Sequence, residues 1–155
     1  IYPGVWTGNN YSNDWSGLHL NVPENFRRTT AMDSGRLGES NNFVEFVLWT
    51  PDGTGSGIEL EYLDAYNFSK GAETSLDSIV TLRGLRLILE GYTIDEITEV
   101  SLGGKTYAKL SANLEGVLKQ DLYCRKVGTH YFECISAIYE PFSEPYIQML
   151  LAGIY

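Results

Sequence analysis

The sequence has few basic residues and no long apolar run, and both shortages exclude classes of function. Its 155 residues include 11 Lys and Arg against 20 Asp and Glu, for a net charge of −9. An acidic surface repels phosphate backbones and anionic headgroups, so we expect neither nucleic-acid binding nor electrostatic attachment to a membrane. The longest apolar run, residues 85–89, is interrupted by Arg86. Because a membrane span needs about 20 apolar residues, no transmembrane segment is predicted.

Cysteine is also scarce: the two in the chain are Cys124 and Cys134. A turn at residues 127–129 would place Cys124 opposite Phe132 and Cys134 opposite Leu122, which makes the cysteines diagonal neighbours about 7–8 Å apart. A two-residue turn would place them on opposite faces of the hairpin. Either register disfavours a disulfide, so we predict two small buried side chains. No CxxC motif or nearby His completes a metal site, and no metal is predicted.

Strand patterns dominate the chain. Alternating apolar residues and turn-forming glycines predict antiparallel hairpins, with a clear turn at Gly103-Gly104. The predicted strands are residues 18–22, 43–49, 58–63, 97–102, 105–112, 117–126 and 130–139. The predicted helices are residues 76–90, a second from residue 143 and a short third at 24–33. Residues 1–155 are therefore predicted to form one α+β domain with a central antiparallel sheet sandwiched by helices.

The N-terminal segment carries a distinctive motif. It reads Gly4-x-Trp6-x-Gly8-Asn9-x-Tyr11-x-Asn13-x-Trp15-x-Gly17-Leu18, followed by a strand and Pro23-Glu24-Asn25-Phe26. This resembles the start of a family of uncharacterised secreted lipoproteins of Gram-positive gut bacteria, in which Tyr stands at the place of Trp15 and Pro-Glu-Gly-Trp ends the segment. The resemblance extends to Val100-Ser101-Leu102-Gly103-Gly104-Lys105-Thr106-Tyr107 and to Tyr123-x-Arg125-Lys126-x-Gly128.

The resemblance implies a fold similar to PsbP and the Ran-binding Mog proteins, with an antiparallel sheet between helices. It also implies an extracellular protein at the cell envelope, and a lipid anchor on a cysteine upstream of Ile1. The domains of this fold are mostly binding or assembly modules without catalysis. The motifs that carry the resemblance are structural rather than catalytic.

Motifs that suggest catalysis or a cofactor have simpler interpretations as turns. Gly104-Lys105-Thr106 resembles the end of a phosphate-binding loop, but Glu99 stands where that motif needs glycine, and a strand follows instead of a helix. The two histidines, His19 and His130, have no nucleophile motif beside them. We therefore predict no catalytic, cofactor-binding or metal-binding residues and no cofactor.

Two groups of side chains leave the question of a site open. Glu45, Glu59 and Glu61 could share one face of the second hairpin, with Asp52 and Asp64 near its ends, as a calcium site or an acid/base pair would require. Alternating glutamates are also typical of the solvent-facing side of a strand, which is the interpretation favoured here.

The second group consists of aromatic residues, which could stack on sugar rings or anchor a partner. Its members are Trp6, Tyr11, Trp15, Tyr62 and Tyr66. We favour a structural role in which the first three pin the N-terminal segment to the sheet.

The predicted function is that of a non-catalytic, monomeric envelope protein that binds an unidentified protein partner or envelope ligand. The alternatives are a carboxylate-based hydrolase, which needs two carboxyl groups about 5–10 Å apart across a cleft, and a calcium-dependent adhesion module.

Overall fold

An eight-stranded antiparallel sheet lies at the centre of the computed structural model, which describes residues 1–30, 42–65 and 74–155. The strands follow one another in space as β4-β5-β6-β11-β10-β9-β7, and β8 pairs with β9 on the same side as β7. Their bounds are β4 (Arg27–Thr30), β5 (Asn42–Trp49), β6 (Gly57–Asp64), β7 (Thr93–Ile94), β8 (Thr98–Leu102), β9 (Lys105–Leu114), β10 (Leu118–Val127) and β11 (Tyr131–Tyr139). The antiparallel sheet predicted from the hairpin signals is confirmed.

The Gly-Gly turn shows why the hairpins could be predicted. Gly103 and Gly104 both have positive φ angles, 57° and 76°, and they connect β8 to β9 with Leu102 paired to Lys105. A two-residue turn of this kind needs φ above zero at both positions, which glycine adopts without steric cost.

The predicted helix at residues 24–33 is wrong for its described part. Residues 27–30 form the edge strand β4, which pairs with β5, and residues 31–33 lie outside the described residues. Thr29 accepts a hydrogen bond from the Trp49 indole at 3.0 Å, and the Arg27 guanidinium lies 5.2 Å from the centre of that ring. Pairing with an aromatic-rich neighbouring strand therefore outweighs local helix signals here.

One face of the sheet is covered mainly by a second sheet. Strands β1 (Val5–Thr7), β2 (Asn10–Asn13) and β3 (Leu18–Asn21) form a three-stranded antiparallel sheet in that order, which we call the small sheet. It packs Tyr11, Leu18 and Leu20 against the central strands. A short 3-10 helix (Pro141–Ser143) and helix α2 (Glu144–Ala152) complete this layer. The architecture is thus dominated by sheets, and the predicted sandwich between helices is too simple.

The chain ends against the small sheet. Ile154 forms a β-bridge with Leu20, and the Tyr155 amide donates to the His19 carbonyl at 3.0 Å. The C-terminal segment therefore closes the edge of β3.

Helix α1 (Leu76–Leu89) covers part of the opposite face, as its pattern predicted. Ser75 caps it by accepting from the Ser78 amide at 3.1 Å. Its buried residues include Ile79, Val80 and Leu87, which pack over β9, β10 and β11. No helix among the described residues is long and apolar enough to cross a membrane.

The β10–β11 hairpin differs from its predicted register. Its turn comprises residues 128–130, so Cys124 pairs directly with Cys134. The two thiols are buried, with their sulfur atoms 2.7 Å apart. The prediction of diagonal, separated cysteines is wrong because a turn centred one residue later shifts every pair by two residues.

Candidate functional site

The structure divides the predicted acidic group between two faces of the sheet. Glu45 lies at a β-bulge between Val44 and Phe46 and accepts a hydrogen bond from the Gly4 amide at 2.6 Å. It is therefore buried under the small sheet. Burial raises the pKa of Glu45 above its ordinary value, and the Gly4 hydrogen bond acts in the opposite direction.

Glu59 and Glu61 lie on the other face, beside α1. Both Glu61 carboxylate oxygens accept from Arg83 Nη2, at 3.1 and 3.0 Å, and Glu61 is 5% exposed. This ion pair joins β6 to α1. Glu59 lines a groove on the same face, so the three glutamates do not meet in one site. The favoured interpretation of a solvent-facing row is wrong for Glu45 and Glu61, which are 7% and 5% exposed because the small sheet covers the first and α1 the second.

Asp52 connects the β5–β6 turn to the start of α2. Its carboxylate accepts from the Thr50, Thr54 and Ser143 hydroxyls at 2.6, 2.9 and 2.5 Å. These hydrogen bonds, the one from Ser143 foremost, lower the pKa of Asp52 to about 2. Asp64, at the end of β6, is instead near the β10–β11 turn, with its Oδ1 atom 3.8 Å from His130 Nε2. Among the described residues, no group of three or more His, Cys, Asp or Glu side chains could hold a metal ion.

The N-terminal aromatic residues pack the small sheet against the central sheet, as the structural interpretation predicted. The rings of Trp6, Tyr11 and Phe46 form a triangle with centroids 4.9–5.2 Å apart. Trp15 packs edge-on against Tyr62, with ring centres 5.3 Å apart. Tyr66 falls outside the described residues.

His19 contacts one hydroxyl group. The Ser12 hydroxyl and His19 Nδ1 are 2.9 Å apart across β2 and β3, and the His19 ring stacks on Tyr155. A serine nucleophile needs a histidine that a third group orients. In the part of the chain that the structure describes, no carboxylate contacts this ring, so the pair lacks that third member.

A buried charge cluster, which sequence reasoning missed, lies between the two sheets. Glu133 is fully buried and accepts from Tyr107 and Tyr62 at 2.6 and 3.2 Å. Arg125 donates to it from Nε and Nη2, at 2.8 and 3.1 Å, and also to the Ser16 carbonyl of the small sheet. Burial and the Glu133 charge raise the pKa of both tyrosines, so they remain protonated donors. The sequence signal for this cluster is the pair of opposite charges, Arg125 and Glu133, which lie directly opposite each other on β10 and β11. The predicted register, with its turn at residues 127–129, did not pair these two residues.

An open groove runs along the face of the sheet that α1 leaves uncovered. It consists of two adjoining depressions of about 320 and 420 Å³, which share Glu59, Ser136 and Ile138. Arg86 of α1 lines the first depression, and Trp49 lines the second. Ile138 on the floor is 40% exposed. The groove thus combines an aromatic ring, an apolar floor and charged groups of both signs.

Comparisons with known proteins support the fold alone. No family model and no curated protein matches this chain. Among solved structures, it is similar to the solution structure of cyanobacterial PsbP (CyanoP) from Synechocystis sp. PCC 6803, with a TM-score of 0.55 and 9% identity over 100% of this chain and 96% of that one. A second solved structure, a crystal structure from Bacteroides thetaiotaomicron VPI-5482, has a TM-score of 0.48 and 15% identity over 97% of this chain and 48% of that one.

Proposed function

We propose that this chain, with its PsbP-like fold, is a non-catalytic binding module, and that the groove beside α1 is where its ligand or partner binds. The groove itself carries the proposal, because it places the Trp49 ring and the exposed Ile138 next to Glu59 and Arg86 in an open depression. Concave sites with apolar walls and a few polar groups are typical of ligand binding.

The internal pairing of the acidic side chains supports binding rather than catalysis. Glu61 is held by Arg83, Glu133 by Arg125, and Asp121 accepts from the Tyr139 hydroxyl at 2.6 Å. A carboxylate-based hydrolase needs two carboxyl groups whose environments give them different protonation states. Of the carboxylates that line the groove, Glu90 is paired with Arg86 at 3.3 Å. Among the described residues, no group of three or more His, Cys, Asp or Glu side chains could hold a calcium ion, so no observation favours calcium-dependent adhesion.

We further propose that the protein is exported and acts at the cell envelope, held by a lipid anchor upstream of this chain. The sequence resemblance of its N-terminal segment supports this location. In fractionated cells of the source organism, the full-length protein should remain with the membrane through a high-salt wash and leave it with detergent. Release by salt alone would contradict the anchor.

A thermal-shift screen tests the binding proposal. The probes are calcium, a chelator, peptidoglycan fragments and common glycans. A ligand at a hundred times its dissociation constant stabilises by about 2.7 kcal/mol, which raises the melting temperature of a chain of this size by roughly 5–10 °C. A glycan or peptidoglycan shift is the expected result. A calcium shift that the chelator reverses would favour the adhesion alternative instead.

A matched pair of variants locates the binding site. Ile138→Glu places a charge on the groove floor at an exposed position, and Val117→Glu places the same charge in the β9–β10 loop, where Val117 is 67% exposed. The ligand-induced shift should disappear in the first variant and persist in the second. An equal shift in both would mean that the ligand binds elsewhere.

A further inference from the structure

The two cysteines occupy directly opposed positions in a continuous strand pair. The β10–β11 ladder runs without a bulge from Lys119↔Tyr139 to Val127↔Tyr131, and Cys124↔Cys134 lies within it. Paired residues point to the same face of a sheet. The two thiols therefore share the face under α1.

The hydrogen-bond pattern of β11 identifies the kind of pair they form. The Ala65 amide donates to the His130 carbonyl at 2.8 Å, so the backbone polar groups of His130 point toward β6. Successive residues of a strand alternate in this direction, and Cys134 lies four residues later, so its polar groups also point toward β6. Cys124 and Cys134 are consequently a non-hydrogen-bonded pair. In such pairs the Cα atoms lie about 4.5 Å apart, which is within the range that a disulfide spans.

The folded protein shields both thiols. Each is fully buried in the cluster that includes Ile79 and Val80 of α1. The hydrogen bond with the Cys124 thiol, together with burial, raises the pKa of Cys134 well above its ordinary value. Because the thiolate is the reactive form, exchange should be slow while α1 is in place and fast in the unfolded chain.

We propose that Cys124 and Cys134 form a cross-strand disulfide when the chain folds in the presence of a small-molecule disulfide such as oxidised glutathione. One cysteine thiolate attacks the glutathione disulfide, forms a mixed disulfide and releases one glutathione thiolate. The second cysteine thiolate then attacks the protein sulfur and releases the other. Both cysteines are oxidised, one glutathione disulfide is reduced to two glutathione thiols, and the two protein thiol protons pass to the solvent and the leaving thiolates.

Refolding the chain from urea with oxidised glutathione tests this proposal. After refolding, alkylation under denaturing conditions without reductant should label neither cysteine, and the intact mass should be lower than that of the reduced chain by two hydrogen atoms. Closing a loop of this length should also raise the melting temperature by about 5–10 °C relative to the reduced chain. Reductant should abolish this difference in melting temperature only after the chain is unfolded. The folded reduced chain should likewise resist oxidised glutathione and the alkylating reagent.

Several results would overturn the proposal. These are two labelled cysteines, two glutathione adducts, or a disulfide-linked dimer as the main refolded product. The Cys124→Ala variant is the matched control, because it should end as a single adduct or a free thiol. The comparison of reduced and oxidised wild-type chain decides the question even if that variant fails to fold.

Discussion

At the residue scale, burial decides which acidic groups matter for stability and in which direction pH acts on them. Glu45 is buried beneath the small sheet with one hydrogen bond from Gly4, and its pKa is raised. A group with a raised folded-state pKa favours folding most at a pH below its unfolded-state pKa. That contribution is lost as the pH rises through the folded-state pKa, because the charged form must then be buried.

Replacing Glu45 by Gln should therefore stabilise the protein at neutral pH. The amide keeps an acceptor for the Gly4 N–H but carries no charge, so the melting temperature at pH 7 should rise. The advantage should shrink as the pH falls toward about 4, where the unfolded-state carboxyl group becomes protonated. Thermal unfolding of both proteins across this pH range measures the effect. A constant difference at every pH would contradict a titrating Glu45 as its cause.

At the element scale, ion pairs differ in value according to their burial. Arg83 joins α1 to Glu61 of β6, and the Glu61 side chain is 7% exposed. Arg86 pairs with Glu90 at the exposed C-terminal end of the same helix, with Nε and Oε1 3.3 Å apart. Removing a partner from a buried charge leaves that charge without compensation, whereas exposed i,i+4 pairs contribute little.

The Arg83→Met variant should lose about 1–3 kcal/mol of unfolding free energy. Arg86→Met is the matched control on the same helix, and it should lose about 0.5 kcal/mol or less. Urea unfolding of the two variants supplies the comparison. Equal losses would mean that the Glu61 pair does not hold α1 to the sheet.

The elements could be predicted from the sequence more reliably than the contacts between them. Alternating apolar residues and the Gly103-Gly104 turn predict the β5–β6 and β8–β9 hairpins, and a capping residue followed by helical apolar spacing predicts α1, because these signals are local. Strands β1 and β2 were not predicted. The β10–β11 register was wrong because Gly128 begins a three-residue turn instead of lying at its centre. That single shift concealed both the Cys124–Cys134 pair and the Arg125–Glu133 pair.

At the scale of the whole molecule, two layers cover the two faces of the central sheet unequally. The small sheet and α2 cover one face and are tied to it by the buried Glu133 cluster. Helix α1 covers only part of the other face, and the groove with Trp49 and Ile138 remains open there. No local sequence pattern indicates this groove, since it results from the long-range packing of α1 over β9, β10 and β11.

The most direct test of the account is to map the bound ligand by amide NMR chemical-shift perturbation, with the glycan or peptidoglycan fragment that gives the largest thermal shift. The account predicts that the perturbed amides cluster on β5, β6 and β11 around Val47, Glu59 and Ile138. Perturbations confined to the small sheet around Trp6 and Trp15, with the amide shifts of the groove residues unchanged, would contradict the account.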